Sequence, residues 1–482
     1  MKAAYLGCVA AAAGLLVPAA RAQTLPNDTR AAILAQVDRQ RPRMAAMAQQ
    51  IWKLAETGFH ETRSSALLQR QLGNAGFRVT TGVAGMPTAF VASYRNGPGP
   101  VIAILAEFDA LPGASQQASA ERAPVPGQGA GHACGHNLLG AAATAAAIAL
   151  KDWMAQSQIR GEVRVYGTPA EEGGSGKVYF VRDGAFADVD AVLHWHPGDR
   201  NSSAQQPSQA NISGKFRFRG LAAHASAAPD KGRSALDGVE IMNVAVNYLR
   251  EHVPDGTRIH YIVSNGGTAP NVVPDFAESY YYVRNPDGAV VRAVMARVAE
   301  AARGAAIASG TEVTFEATGG VYSILPNGVL GEVLRRNLVS VGGPQWSAEE
   351  TAFAAAIARG LAAPGDFSSA TRIDPPGVDA PSGASTDVAD VSWVVPTAGV
   401  RIATWVPGTA SHSWQATAAS GSGIGIKGAH VAAGTLALSA AQLLFDPSLL
   451  ADAKAELLRR RGPAFRYEPM IGDRKPPLDY RK

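Results

Sequence analysis

The sequence predicts an α/β fold, a doubly wound and mainly parallel sheet interrupted by a smaller inserted ferredoxin-like α+β domain. Three observations predict it. At 482 residues the chain exceeds what one ordinary core holds, so two domains are expected. Short apolar runs alternate with helical stretches through most of its length, the pattern of a doubly wound sheet. From about residue 208 the order becomes β-α-β-β-α-β, that of a ferredoxin-like unit.

The N-terminus, MKAAYLGCVAAAAGLLVPAARAQ, has the layout of a secretory signal peptide. Lys2 supplies the positive start, an apolar stretch runs to Val17, and Ala20-Arg21-Ala22 forms a small-x-small cleavage site. The run is shorter than the roughly 20 residues that span a bilayer, and Pro18 follows it. Cys8 lies too early to be a lipoprotein acylation site. A secreted or periplasmic protein is therefore expected, cleaved near Ala22, with no later membrane-spanning segment.

After the leader, residues 28–76 show helical spacing broken by Gly58 and Gly73. Residues 100–108, 161–167 and 190–195 read as short buried strands, with an Ala-rich helix at about 138–155. ISGKFRFRG alternates like a half-exposed strand, and a helix follows at 234–251. RIHYIVSN and FAESYYYVRN read as strands, then a helix at 287–308 and the strand TEVTFEATG. Helices near 327–340 and 347–360, a strand near 399–405 and a helix near 427–445 resume the α/β pattern, and a basic, Pro-containing tail ends the chain. The domain expectation is 1–22 signal peptide, 23–207 and 323–482 two parts of one domain, and 208–322 the insert.

Composition is globular, with 46% hydrophobic and 17% charged residues. The net charge of +4 includes Lys2 and Arg21 of the leader, so the mature chain is nearly balanced. No basic run interleaves with aromatics, and no nucleic-acid partner is expected. Of two cysteines, Cys8 leaves with the leader. Cys134 alone cannot form an internal disulfide, and a lone thiol in an exported protein needs another role.

Chemistry-bearing residues fall where strands end. Asp109 follows the strand 100–108, Glu171 and Glu172 follow 161–167, and His196 closes 190–195. Cys134 and His136 precede the Ala-rich helix, two apart, so in an extended loop both could face one metal. The helix N-terminus behind them would favour a thiolate. Ligands of open α/β sheets gather beyond the carboxyl ends of the strands, so these segments are expected to converge. Adjacent loop side chains point apart, so one glutamate can hold a metal while the other faces a water, the division that metal-assisted hydrolysis needs. The plain alternatives are a buried structural cysteine and a solvated glutamate pair.

Six motifs in order carry a family resemblance: AEFDALPG, GHACGHNLLG, PAEEGG, LHWHP, NGGTAPNVVPD and ASHSW. Together they resemble the di-metal amidohydrolase and metallopeptidase family of aminoacylases, carboxypeptidase G and auxin-conjugate hydrolases, closest to the p-aminobenzoyl-glutamate hydrolase branch. STDVADVSWVVPT strengthens the narrower likeness. The resemblance implies two divalent ions, zinc or manganese with cobalt possible, held by Cys134, His136, Glu172, His196 and His412. It implies Glu171 as general base and Asp109 as support behind the metals. His224 would reach across a homodimer interface made by the insert to polarise the scissile carbonyl. Asn271 would line the substrate site, and Arg284 would clamp a substrate carboxylate. The implied substrate is a small amide with a free carboxylate, an aminobenzoyl or N-acyl amino acid. Relatives place a histidine where this chain has Glu107, which leaves open whether Glu107 ligates. His132 and His194 are expected to turn away by alternation. A broad-range N-acyl-amino-acid amidohydrolase or dipeptidase, a catalytically silent metal-dependent binding protein, and cysteine-nucleophile hydrolysis by Cys134 and His136 are the rivals.

Overall fold

The structure, a computed structural model, describes residues 23–375 and 383–480; the leader expected over 1–22 lies outside them. Two helices come first, α1 (Asn27–Leu54) and α2 (Thr62–Asn74). Gly73 lies inside α2 and does not break it. Next come β1 (Arg78–Thr81), β2 (Phe90–Asn96), β3 (Val101–Ala106), α3 (His136–Gln156), β4 (Gly161–Gly167), α4 (Gly176–Arg182) and β5 (Ala191–Gly198). The inserted unit is β6 (Ala210–Arg219), α5 (Ala235–Leu249), β7 (Arg258–Asn265), β8 (Phe276–Asn285), α6 (Gly288–Ser309) and β9 (Glu312–Val321). The chain then forms α7 (Gly328–Val341), α8 (Ala348–Ala358), β10 (Thr397–Ala403), α9 (Trp414–Ser420), α10 (Gly423–Phe445) and α11 (Ser448–Arg461).

The larger sheet has six strands in the order β1-β2-β4-β3-β5-β10. Strands β4, β3, β5 and β10 run parallel, and the edge strands β2 and β1 add antiparallel. The short edge strands are absent from the sequence reading because Arg78–Thr81 is mostly exposed and carries no apolar run. Both faces are covered, as a parallel sheet requires. Ile102 and Ile104 pack with α1, α3 and α10, while Val101, Ala103 and Leu105 pack with the opposite layer around Val178 and Phe180. Alternate side chains thus serve two cores, which is why these strands read as unbroken apolar runs.

Contrary to expectation, two later helices, α3 and α10, are long and apolar enough to cross a membrane. Of their most apolar windows, 83% and 89% are buried, so these helices form the core beneath the sheet. The basic tail is likewise not featureless. It begins with α11, and Met470 beyond it packs into the core of the inserted unit.

The inserted sheet is wholly antiparallel, in the order β9-β6-β8-β7. Its helices cover one face, with Phe216, Phe218, Val239, Met242, Tyr281, Val283 and Val298 between the layers. On α5, Ile241, Val244 and Tyr248 recur at helical spacing on the outer side, and all three are exposed. Val263 on the edge strand β7 is exposed too. Isolated exposed apolar residues are ordinary, but a stripe beside an open sheet edge marks an interaction face.

Candidate metal centre

Three chain segments meet beyond the carboxyl ends of β3, β4 and β5. Gly135 makes their approach possible. Its φ is 75°, and a Cβ there would lie 2.8 Å from Pro197, so only glycine lets the Cys134–His136 turn settle against the strand carrying His196. This turn is not the extended loop expected, because His136 is itself the first residue of α3. Nor does His196 close its strand; β5 continues to Gly198, paired with Ala403 of β10. The loop after β4 is strained, with positive φ at Ala170 and Ser175 on either side of the glutamate pair. His412 also has positive φ, at 63°, and its backbone N–H donates to Ala133 O over 3.0 Å. Strain of this kind concentrates at functional sites.

Each histidine has one nitrogen committed and the other facing the cluster. Asp109 Oδ1 lies 2.9 Å from His136 Nδ1, and a carboxylate can only accept, so Nδ1 carries the proton and Nε2 keeps its lone pair. His196 Nδ1 donates in the same way to Pro197 O over 2.7 Å, leaving Nε2 3.4 Å from Cys134 Sγ. The second oxygen of Asp109 accepts from the Glu172 backbone N–H at 2.9 Å, so one buried carboxylate positions residues from two loops. His412 Nε2 is 3.4 Å from Glu172 Oε1.

These atoms form overlapping triples whose ligand atoms lie within 4.8 Å of one another. Cys134 joins His136 and His196 in one, and Glu172 and His412 in a second; His136, Glu171 and Glu172 form a third. The donor set suits divalent ions. His136 Nε2 and Glu107 Oε2 are 3.1 Å apart, yet neither has a hydrogen-bond partner. Two lone-pair atoms converging without a proton between them form a seat for a cation.

Electrostatics point the same way. Burial alone would lower the His136 pKa, but Cys134, Glu107 and Asp109 outweigh it and raise it well above the usual value. Burial, followed by the Glu107 and Glu172 carboxylates, raises Glu171. Burial and then Arg401 push His196 down to about 3, which keeps it neutral. Burial and Glu172 push the Cys134 thiol up, so the helix N-terminus alone does not ionise it, contrary to expectation. A cation must do so.

Sequence reasoning missed three supporting residues. Lys177 is fully buried on α4, 2.6 Å from Glu107 Oε1 and 2.6 Å from Asp387 Oδ1. Burial raises the Glu107 pKa, but Lys177 and then His136 prevail and hold it at about 2. A lysine inside the apolar run GKVYFV was the available signal. Glu61, buried and raised to about 8 chiefly by burial, accepts from Ala170 N at 2.9 Å and ties down the strained loop. From the C-terminal segment, Tyr480 donates to Glu172 O at 3.1 Å. His132 and His194 do turn away. The former faces Ile51 O at 3.1 Å, and the latter packs its ring over Gly399.

The remaining expected site residues lie in the inserted unit. His224 is exposed, bridges Val272, and accepts at Nδ1 from Ala227 N at 3.2 Å. Asn271 is its neighbour, through Ala225 N to Asn271 O at 3.0 Å. Among the described residues, no hydrogen bond or ion pair joins either to the cluster within one protomer. Arg284 lies on β8 with Nη1 3.4 Å from Ser385 Oγ. A cavity of about 610 Å³ opens beside the cluster, walled by His412, Trp414, Arg122 and Gln128.

Comparison with known proteins follows this geometry. The family profile of the peptidase dimerisation domain matches residues 209–309. The chain is 40% identical to one of the two kinds of polypeptide that make up the p-aminobenzoyl-glutamate hydrolase of Escherichia coli (strain K12), over 87% of this chain and 93% of that one. It is 30% identical to the Xaa-Arg dipeptidase of Mus musculus, over 87% and 90%. In fold it matches a dinuclear metal-binding peptidase of the M20 family from Bacillus subtilis, with a TM-score of 0.55 at 19% identity over 83% of this chain and 98% of that one. With such identity over most of both chains, this chain belongs to the M20 peptidase family and is one of its metal-dependent amidohydrolase and peptidase enzymes.

Proposed function

We propose that the protein hydrolyses the amide bond of an aminobenzoyl or N-acyl amino acid, p-aminobenzoyl-glutamate being the nearest known type. The observation that carries this reading is the pair of ligand triples sharing Cys134, with Glu171 directly beside them. Cys134, His136 and His196 would hold one divalent ion, and Cys134, Glu172 and His412 a second. Zinc or manganese fits the thiolate, imidazole and carboxylate set, and cobalt also fits. Such ions lower the pKa of water and polarise a carbonyl. Glu107, neutralised by Lys177 and aimed at His136, completes the first seat.

Glu171 takes the proton from the attacking water and returns it to the leaving amine. Its raised pKa suits a group that must both accept and release a proton near neutrality. Asp109 keeps His136 in the ligating tautomer. His224 and Asn271 make no contact with the cluster in their own protomer, which supports a homodimer in which His224 of the partner subunit faces the scissile carbonyl. The exposed stripe on α5 and the open edge of β7 supply the dimer face. Arg284 takes the substrate carboxylate. From its leader pattern we assign the mature enzyme to the periplasm or the exterior.

The Xaa-Arg dipeptidase relatives favour one second reading, an enzyme of broader N-acyl-amino-acid or dipeptide range. The test is a screen of purified mature protein, loaded with zinc or manganese, against aminobenzoyl, acyl and peptidyl amino acids. Chelation silences turnover and a divalent metal restores it; full activity in metal-free protein overturns the reading. Tight binding with no turnover of any amide would make the chain a binding protein. Inhibition by thiol alkylation with metals still bound would favour a cysteine nucleophile.

A further inference from the structure

The inserted sheet is covered by helices on one face only. Ile259, Tyr281 and Val283 point to that side, so Arg258 and His260 of β7 and Tyr282 and Arg284 of β8 share the opposite face. In the register Arg258 stands directly across from Arg284, and His260 across from Tyr282. Two guanidinium groups opposed on neighbouring strands repel each other. Elsewhere on this face cations are matched, Lys215 and Arg217 by Glu278, and Arg217 also by Glu316. Arg258, His260 and Arg284 have no carboxylate partner among the described residues. Arg258 reaches only Thr257 O, and Arg284 makes a long contact to Ser385 Oγ and lies over the Tyr282 ring.

Between them lies a cavity of about 760 Å³, with no acidic residue on its wall. Arg284 Nε is shut off from solvent there and has no hydrogen-bond partner. Partial burial and then Arg284 hold His260 below its usual pKa, so at neutral pH it is an uncharged donor in a positive field.

The cavity lies near the metal centre along the chain of contacts. Ser385 is two residues from Asp387, which holds Lys177. Along the same sheet face, Tyr282 Oη is 3.2 Å from Tyr280 Oη, which accepts from Thr318. The adjacent Gly319 lies against Ser175 and Gly173, just after the glutamate pair.

We infer that this cavity seats the acid end of the substrate, and that Arg258 and His260, acting with Arg284, select amides whose amino acid carries two carboxylates. The inference rests on the amidohydrolase reading above and specifies its substrate class. Each guanidinium can grip one carboxylate through two parallel hydrogen bonds, and a dianion relieves the repulsion between them.

The test compares N-acetyl-glutamate with N-acetyl-alanine as substrates, and glutarate, butyrate and inorganic phosphate as calorimetric probes. Wild type and the exposed-site variants Arg258→Met and Arg258→Lys are measured as metal-loaded protein. The expected result is a KM for N-acetyl-glutamate about 10–100-fold higher in Arg258→Met, the loss of a charged hydrogen-bond partner, with kcat nearly unchanged and partial rescue by lysine. N-acetyl-alanine is unaffected, and glutarate binding falls in parallel while butyrate binding does not. Equal losses on both conjugates, or unchanged glutarate binding in Arg258→Met, overturn the inference. Phosphate binding as tight as glutarate makes the cavity a general anion site and also overturns it. Should neither conjugate be hydrolysed while glutarate still binds through Arg258, the amidohydrolase reading fails and the dicarboxylate seat stands.

Discussion

Lys177 Nζ lies 2.6 Å from Glu107 Oε1 inside a region closed to solvent, and Asp387 Oδ1 lies 2.6 Å from the same nitrogen. The lysine neutralises charge that would otherwise be stranded, and it fixes the oxygen that Glu107 presents to His136. Lys177→Met leaves two carboxylates without their cation and should destabilise the fold by about 3–5 kcal/mol in urea unfolding. A combined Lys177→Met, Glu107→Gln, Asp387→Asn variant should recover much of that stability. A single-variant cost under about 1 kcal/mol would mean the pair is not charged.

Asp109 acts on the metal site at one remove. Asp109→Asn removes the acceptor that fixes the His136 tautomer and weakens the hold on the Glu172 backbone. Metal affinity should drop about 10–100-fold, read by competition with a chromophoric chelator. Unchanged affinity would show that His136 needs no such orientation.

Glu171 should separate binding from chemistry. Glu171→Gln keeps a side chain of the same shape, so both metals remain and turnover falls by at least about 100-fold. Metal analysis and kcat on one preparation decide it. Substantial residual turnover would remove Glu171 as the base.

Stability should depend on pH through Asp390. Burial foremost raises its carboxyl from 3.8 to about 7, although Tyr467 Oη and Tyr322 N both donate to it. The folded chain then holds a proton that the unfolded chain releases between about pH 4 and 7. Stability therefore falls as pH rises through that window, by up to about 1.4 kcal/mol per unit, and levels off above it. Asp390→Asn should flatten this stretch of the curve; an unaltered slope would assign the proton elsewhere.

The sheet and the ligands were legible for one physical reason. Strands buried on both faces are unbroken apolar runs, and the residues just past their ends stand out as Asp109, Glu171-Glu172 and His196. What stayed hidden depends on long-range contact. Glu61, Lys177 and Asp387 are spread across the chain, and their roles exist only once burial brings charge beside charge. Arg78–Thr81 gave no signal because it is an exposed edge, and α11 was obscured by its basic, polar face. The thiolate expected from the helix N-terminus failed because burial among carboxylates costs a thiolate more than the helix dipole returns.

One sulfur atom belongs to both ligand triples, so the two seats share a single point of failure. Oxidation of Cys134 to a sulfinic or sulfonic acid would spoil both together, giving silent molecules rather than half-active ones. Holding metal is then what shields the side chain from peroxide, and a preparation left empty should age toward permanent inactivity faster than a loaded one.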